Sequence, residues 1–342
     1  MSTDRLRAGL IGLGRMGRHH ARILRHLHGV DLVGVVDPVG DRYHAADDIT
    51  LFPDLDALVH YGIDYAVLAC PTPLHEPLGT VLATACIPTL IEKPLAADTD
   101  AANRLAQAFH TAGVPAAVGY IERFNPALIS LRTRMQDGQL GDIIEINTRR
   151  TGPFPAHSID VGVVHDLATH DIDLTTWVTG QHYTTIAART AHRNTGPQED
   201  LLAAFGQLTN GTITHHHVNR ISPLTERATI IIGENGCFIA DTLTTTLTYQ
   251  ANRANSLDVI HYAINKTEPL RAEREAFRDT VLGHRPPVAP LQDALHAVLV
   301  ADAALRAART RTTIAIAPAS TDRANLTGYL RPGTGVSPRP QR

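Results

Sequence analysis

Three glycines, Gly12, Gly14 and Gly17, stand directly after an apolar run from Leu6 to Ile11 and open a helical pattern. That placement leaves few folds available. The first glycine permits a tight turn, the second lets backbone approach a pyrophosphate, and the third allows a helix to pack closely on a strand. A diphosphate then rests on the helix N-terminus, where free N–H groups and the helix dipole favour an anion. The spacing and its strand–turn–helix context predict a dinucleotide-binding Rossmann unit with Arg15 and Met16 inside the phosphate loop.

The rest of the N-terminal third agrees. Apolar runs Leu32 to Asp37, Tyr65 to Cys70, Thr89 to Glu92 and Ala116 to Gly119 alternate with helical patterns Met16 to Leu27, Leu74 to Ala85 and Thr99 to Ala112. Such alternation predicts βαβ units and a parallel sheet, with Asp98 or Thr99 capping the third helix. Asp37 ends the second run, where its carboxylate can bond the adenosine ribose hydroxyls and repel a 2′-phosphate. NAD is therefore the expected cofactor, with Arg42 close enough in sequence to keep NADP open.

After Phe124 the pattern changes. Helices are expected from Pro126, over Val161 to Val178, Pro269 to Leu282 and Leu291 to Arg309. Strands are expected at Ile143 to Thr148, Tyr183 to Ala191, Leu201 to Gln207, Thr212 to Val218, Ala228 to Ile232 and Leu243 to Tyr249. Turn signals Asn210-Gly211 and Asn235-Gly236 punctuate them, which predicts a largely antiparallel sheet with helices on one face. At 342 residues two domains are expected: an α/β nucleotide domain over 1–121 and an α+β substrate and oligomerisation domain over 122–317. A tail rich in Pro and Gly follows at 318–342. The free sheet face predicts a homodimer or homotetramer.

Composition removes several classes. A formal charge of -3, from 31 basic against 34 acidic residues, gives no excess to drive nucleic-acid binding. No apolar run is long enough to span a membrane, and Asp4, Arg5 and Arg7 interrupt what a secretion signal would need, so a cytoplasmic protein is expected. Cys70, Cys86 and Cys237 are odd in number and dispersed, and read as buried thiols. His215, His216 and His217 lie in an expected strand, where alternation splits them between faces, so no metal site is expected. His19, His20, His26 and His28 read as mostly exposed.

The stretch Ala66-Val67-Leu68-Ala69-Cys70-Pro71-Thr72-Pro73-Leu74-His75, followed by Ile91-Glu92-Lys93-Pro94-Leu95, resembles the Gfo/Idh/MocA oxidoreductases. The resemblance continues through Val118-Gly119-Tyr120-Ile121-Glu122-Arg123-Phe124-Asn125-Pro126, Gly152-Pro153-Phe154-Pro155 and Asp166-Leu167-Ala168-Thr169-His170-Asp171-Ile172-Asp173, reaching about Ile316. It implies that Lys93, Asp166 and His170 form the catalytic group, and that Pro38, Cys70, Pro71, Thr72, His75, Glu92 and Lys93 border the cofactor. The residue types suit that work. Oxidising an alcohol needs a base of near-neutral pKa, which histidine supplies, and a cation to steady the developing alkoxide. Asp166 and His170 sit at i and i+4 of an expected helix, so the carboxylate is expected to orient the imidazole and favour its protonated form. Lys93 is one of only two lysines, the other being Lys266, in a chain that otherwise uses arginine.

Tyr120, Arg123, Asn125, Arg149, His157 and Asn219, with the catalytic group, are candidate substrate contacts. Two departures from the family pattern, Asp160-Val161-Gly162-Val163-Val164-His165 and Asn219-Arg220-Ile221-Ser222-Pro223-Leu224-Thr225, point to a subgroup with nucleotide-sugar and amino-sugar dehydrogenases but an altered pocket. The leading expectation is NAD-dependent oxidation of a secondary ring hydroxyl, at C3, of a sugar or amino sugar such as an aminoglycoside precursor or nucleotide sugar. Two rivals are a ketoreductase of deoxysugar biosynthesis using NADH or NADPH, and a catalytically silent NAD-binding regulator.

Overall fold

From Leu6 to Val118 the chain builds a parallel sheet with a helix after almost every strand. The elements are β1 (Leu6–Ile11), α1 (Arg15–Leu24), β2 (Val30–Val36), β3 (Leu51–Phe52), α2 (Leu55–Tyr61), β4 (Tyr65–Leu68), α3 (His75–Thr84), β5 (Thr89–Ile91), α4 (Thr99–Ala112) and β6 (Ala116–Val118). Their order is β3-β2-β1-β4-β5-β6, and every pairing is parallel. The connection reverses direction between β1 and β4, so the crevice outside those carboxyl ends is where an open α/β sheet takes a ligand. This is a computed structural model that describes residues 5–154, 161–193, 196–253 and 256–317. His157, Asp160 and the 318–342 tail lie outside the described residues.

The apolar pattern does not predict β3 and α2; Asp54 supports α2 by accepting from Ala57 N at 2.8 Å. At α4 the cap is Asp98, which accepts from Ala101 N at 2.8 Å, whereas Thr99 turns its N–H and hydroxyl toward Asp302.

The second part comprises α5 (Pro126–Gln136), β7 (Ile143–Thr151), α6 (Thr169–Thr179), β8 (Tyr183–Ala191), β9 (Leu201–Leu208), β10 (Ile213–Asn219), β11 (Glu226–Gly233), β12 (Gly236–Asp241), β13 (Thr246–Arg253), β14 (Ser256–Tyr262), α7 (Pro269–Val281), α8 (Leu291–Thr310) and β15 (Ile314–Ala315). Nine strands form one sheet in the order β14-β13-β12-β11-β7-β10-β9-β8-β15, antiparallel except where β10 runs beside β7. β12, β14 and the two-residue β15 go beyond the strands expected from sequence. Leu243, expected to begin a strand, sits instead in a turn whose N–H groups at Leu243 and Thr244 bond Asp241 Oδ1.

The two faces of this sheet differ. Ile146, Thr148, Val218, Ile231 and Phe238 are buried under α5, α6 and α8. The opposite face carries Phe205 at 55% exposure, with Ile213, Leu257 and Val259 also exposed. The three histidines divide as alternation requires: His216 is buried between Thr148 and Tyr183, while His215 faces Glu145 and His217 bonds Asn219. One sequence expectation needs correction. Cys86 is exposed and Cys70 and Cys237 only half-buried; Cys86 follows α3 in a left-handed turn rather than entering the core. Of the four histidines on or just after α1, His19, His26 and His28 are exposed, as the sequence predicts, while His20 is buried where α7 covers the helix. No described helix is long and apolar enough to cross a membrane, and no group of three or more His, Cys, Asp or Glu side chains among the described residues could hold a metal ion.

Candidate active site

The glycine loop joins the tip of β1 to α1. Gly12 has φ +97°, and a Cβ there would stand 2.6 Å from Ala69 O. A Cβ on Gly17 would meet Gly12 O at 2.0 Å, so only glycine lets α1 start this close to β1. A Cβ on Gly14 would meet nothing within 4 Å, which leaves this backbone open to a diphosphate. Asp37 ties the loop to the end of β2: its Oδ2 accepts from Leu13 N at 2.7 Å and its Oδ1 from Val39 N at 2.8 Å. Each oxygen keeps a lone pair for a ribose hydroxyl. Arg15 and Pro38 are on this rim, Arg15 exposed and Met16 beside it half-buried. These residues fit NAD.

Pro71 and Thr72 begin a short 3-10 turn after β4, from which the buried His75 braces two loops. Its Nδ1 lies 2.9 Å from Pro94 O and its Nε2 3.1 Å from Cys70 O. Burial pushes its pKa below the ordinary imidazole value, against the pull of those carbonyls. His75 thus positions the cofactor rim from behind.

Lys93 follows β5 and precedes a cis proline, Pro94. Its Nζ donates to Asp166 Oδ1 at 2.6 Å and to Asp166 O at 2.7 Å. Asp166 lies in one wide π turn, Val164–Ala168, that precedes α6, where the sequence predicts a continuous α-helix. Glu199 holds the start of that turn by accepting from Val164 N at 2.9 Å, an approach that a Cβ on Gly162 would block at 2.0 Å. Burial pushes the Asp166 carboxyl up, but the Lys93 ammonium, its hydrogen bond and the charges of Arg220 and Arg15 outweigh this and hold it below its ordinary value.

His170, in the first turn of α6, is buried, and its Nδ1 has no hydrogen-bond partner. Burial first, then the charges of Lys93, Arg150 and Arg227, push its pKa well below the ordinary imidazole value. This corrects the expectation that Asp166 would favour the imidazolium. The carboxylate is taken by Lys93, and the ring is left neutral among cations. Tyr120 packs its ring edge against His170, centroids 6.0 Å apart.

Behind Lys93 runs a buried polar relay. Glu92 Oε1 lies 2.7 Å from His20 Nε2, and Arg274 on α7 donates to His20 Nδ1 from Nη2 at 2.8 Å. Burial and Arg274 lower the His20 pKa to about 4, so its Nε2–H donates to Glu92 while Nδ1 accepts. Glu92 therefore faces inward, away from any cofactor, and Oε2 accepts from Lys93 N at 3.2 Å.

The other sequence candidates scatter. Arg123 is consumed by Asp173, Asp293 and Val288 O, and Asn125 caps α5 through Ala127 N. Arg149 is exposed on the open face beside Glu226, and Asn219 is held by His217 and by the turn at Ile221 and Ser222. The residue that reaches the site is Arg150, which bonds Asp171 and Glu122. Motif spacing points to neither Arg150 nor its neighbours Arg220 and Arg227; strand parity is the signal that separates Arg150 from Arg149, and it requires the register.

A nucleotide-binding parallel sheet and a second sheet that together enclose a lysine and a histidine make a two-lobed, NAD-dependent oxidoreductase. Residues 6–120 match the model of the Gfo/Idh/MocA oxidoreductase family, NAD-binding Rossmann fold, and residues 128–239 match the Gfo/Idh/MocA C-terminal domain. The chain is 30% identical over 290 residues to UDP-N-acetylglucosamine 3-dehydrogenase of Acidithiobacillus ferrooxidans, covering 82% of this chain and 90% of that one. A solved structure of that enzyme agrees with TM-score 0.81 at 28% identity, over 90% of this chain and 98% of its own. GenD2 from gentamicin A biosynthesis, solved with NAD, agrees with TM-score 0.81 at 25% identity, over 92% and 97%. Inositol 2-dehydrogenase 4 of Saccharopolyspora erythraea is 33% identical over 197 residues, 55% of this chain and 58% of that one. The chain belongs to the Gfo/Idh/MocA family.

Proposed function

We propose that this chain oxidises a secondary ring hydroxyl, at C3, of a sugar or amino-sugar unit, with residues 1–121 holding NAD and 122–317 forming the substrate lobe. The observation that carries the reading is the contact of Lys93 Nζ with Asp166 Oδ1 at 2.6 Å beside a neutral, buried His170. Lys93 donates a hydrogen bond to the reacting oxygen and stabilises its developing charge, and Asp166 fixes the ammonium in place. His170 removes the hydroxyl proton as the C–O bond becomes a carbonyl. NAD, when bound, supplies the hydride acceptor. A neutral imidazole can accept the hydroxyl proton, as the oxidation requires. The relative named as a 3-dehydrogenase supports the choice of carbon.

Mixing the protein with NAD and a panel of sugars and polyols tests this by NADH absorbance. At least one sugar is expected to reduce NAD, and Lys93→Met to lower kcat by about 10³-fold with NAD affinity retained. The acid limb of the rate profile is expected below the ordinary imidazole range. A panel that yields no NADH, and no NADH consumption with keto sugars, overturns the proposal; full biological function of the Lys93 variant favours an NAD-binding regulator.

A further inference from the structure

Register places Arg227 of β11 directly opposite Arg150 of β7, so both guanidiniums stand on the sheet face that α6 covers. Two like charges this close need carboxylates. Arg150 takes both neighbours, Asp171 Oδ1 at 3.0 Å and Glu122 Oε1 at 2.9 Å. Arg220, the other cation on this side of Asp166, is paired with Asp200 at 2.7 Å. Arg227 has no ion-pair partner among the described residues. Its Nη1 donates to two backbone carbonyls, Thr151 O at 2.5 Å and Glu226 O at 2.7 Å.

That leaves the Nε and Nη2 donors, the edge of a guanidinium that grips a carboxylate or phosphate with two parallel hydrogen bonds. Gly152 is the backbone beside this edge: a Cβ there would stand 4.0 Å from Nη2. A half-buried guanidinium without a counter-ion is costly, and burial together with Arg150 already weakens its hold on its proton. Asp171, Glu122 and Asp166 act on it only from a distance. The Arg227 charge also acts on His170, lowering its pKa.

We propose that Arg227 anchors an oxyanion on the substrate, either a ring carboxylate or a phosphate of a glycosyl phosphate, so that the sugar oxidised here is anionic. The proposal rests on the sugar-oxidising reading and narrows it. A free amino group in the same place would meet the Arg227 guanidinium and be disfavoured, which separates this chain's substrate from an unsubstituted amino sugar. The two sources differ in the position of the charge, on the ring's own carboxylate or on the anomeric oxygen.

The test compares a hexuronate, a hexose 1-phosphate, a nucleotide sugar, a neutral hexose and glucosamine as substrates for the NAD-loaded protein, alongside calorimetric binding of each. One anionic class is expected to show a KM about 10-fold or more below its neutral counterpart, with glucosamine weakest. Which class wins identifies carboxylate or phosphate. Arg227→Met is expected to raise that KM by about 10- to 100-fold with a much smaller change in kcat, and Arg227→Lys to recover part of the loss. Unchanged NAD affinity in both variants shows that they fold. Equal KM for neutral and anionic sugars, or anion binding that survives Arg227→Met, overturns the anchor. Anion binding that Arg227→Met abolishes, without turnover of any sugar, upholds the anchor and overturns the proposed reaction instead.

Discussion

The two sheets of this protein place their functional side chains by different rules. In the parallel sheet helices bury both faces, and what matters is where a strand ends: Gly12 after β1, Asp37 after β2, Cys70 after β4 and Lys93 after β5. In the nine-stranded sheet what matters is which face a residue occupies. Arg149 and Arg150 are neighbours in sequence, yet one is exposed beside Glu226 and the other is buried against Asp171 and Glu122. Strand ends can be read from a sequence by position alone, whereas faces need a register.

The sharpest way to break this comparison is to remove each arginine in turn. Arg150→Leu strands two carboxylates in a buried setting and is expected to cost about 3–5 kcal/mol in denaturant unfolding. Arg149→Leu loses one exposed ion pair and is expected to cost less than about 1 kcal/mol. Similar costs for the two would mean that the faces are not distinct.

Acid sharpens it next. Burial lowers the pKa of His216, on the covered face, to about 3, while an unfolded histidine titrates near 6.5. Its contribution is complete above pH 6.5 and is lost as pH falls toward 3, roughly 3 kcal/mol by pH 4. His216→Gln keeps a neutral hydrogen-bonding side chain and is expected to flatten the slope of stability between pH 4 and 6 by about 1.4 kcal/mol per pH unit. An unchanged slope would place that proton elsewhere.

The smallest effect on stability is expected at the open face. We propose that a second copy covers it, since Phe205 and Ile213 on neighbouring strands β9 and β10, and Leu257 and Val259 on β14, are apolar side chains exposed on this face. Phe205→Glu is expected to change monomer stability by about 0.5 kcal/mol or less and to shift sedimentation from dimer or tetramer to monomer. A wild-type chain that sediments only as monomer removes the proposal.

Much of the nucleotide lobe is legible in the sequence because local rules suffice there. A glycine spacing, an acidic strand end and a helical apolar period each act within one βαβ unit. β3 and α2 escape because a two-residue edge strand and a seven-residue helix carry too few residues to show a period. In the second lobe the helices and most strands can be read, but β12 and β14 cannot, since Cys237 to Asp241 and Ser256 to Tyr262 show no clean alternation. Lys93, Asp166 and His170 converge in space, but their pairing is legible only in part. Asp166 and His170 are close in sequence, yet Asp166 bonds Lys93, 73 positions away. Arg123 and Asn125 look like site residues because they follow β6; long-range partners at Asp173, Asp293 and Thr242 make them structural.

α7 has a consequence for how the chain is made. Phe277 completes the apolar cluster of Ala8, Leu10, Leu24 and Tyr65, and Arg274 reaches His20 on α1. As the polypeptide leaves the ribosome, the glycine loop and its helix emerge early but stay uncovered on one side until Pro269–Val281 has been made. A fragment cut after β6 would carry every phosphate-binding glycine and still lack its own lid of α7, leaving a greasy flank and a His20 Nδ1 without its Arg274 donor where the whole chain has a sealed seam.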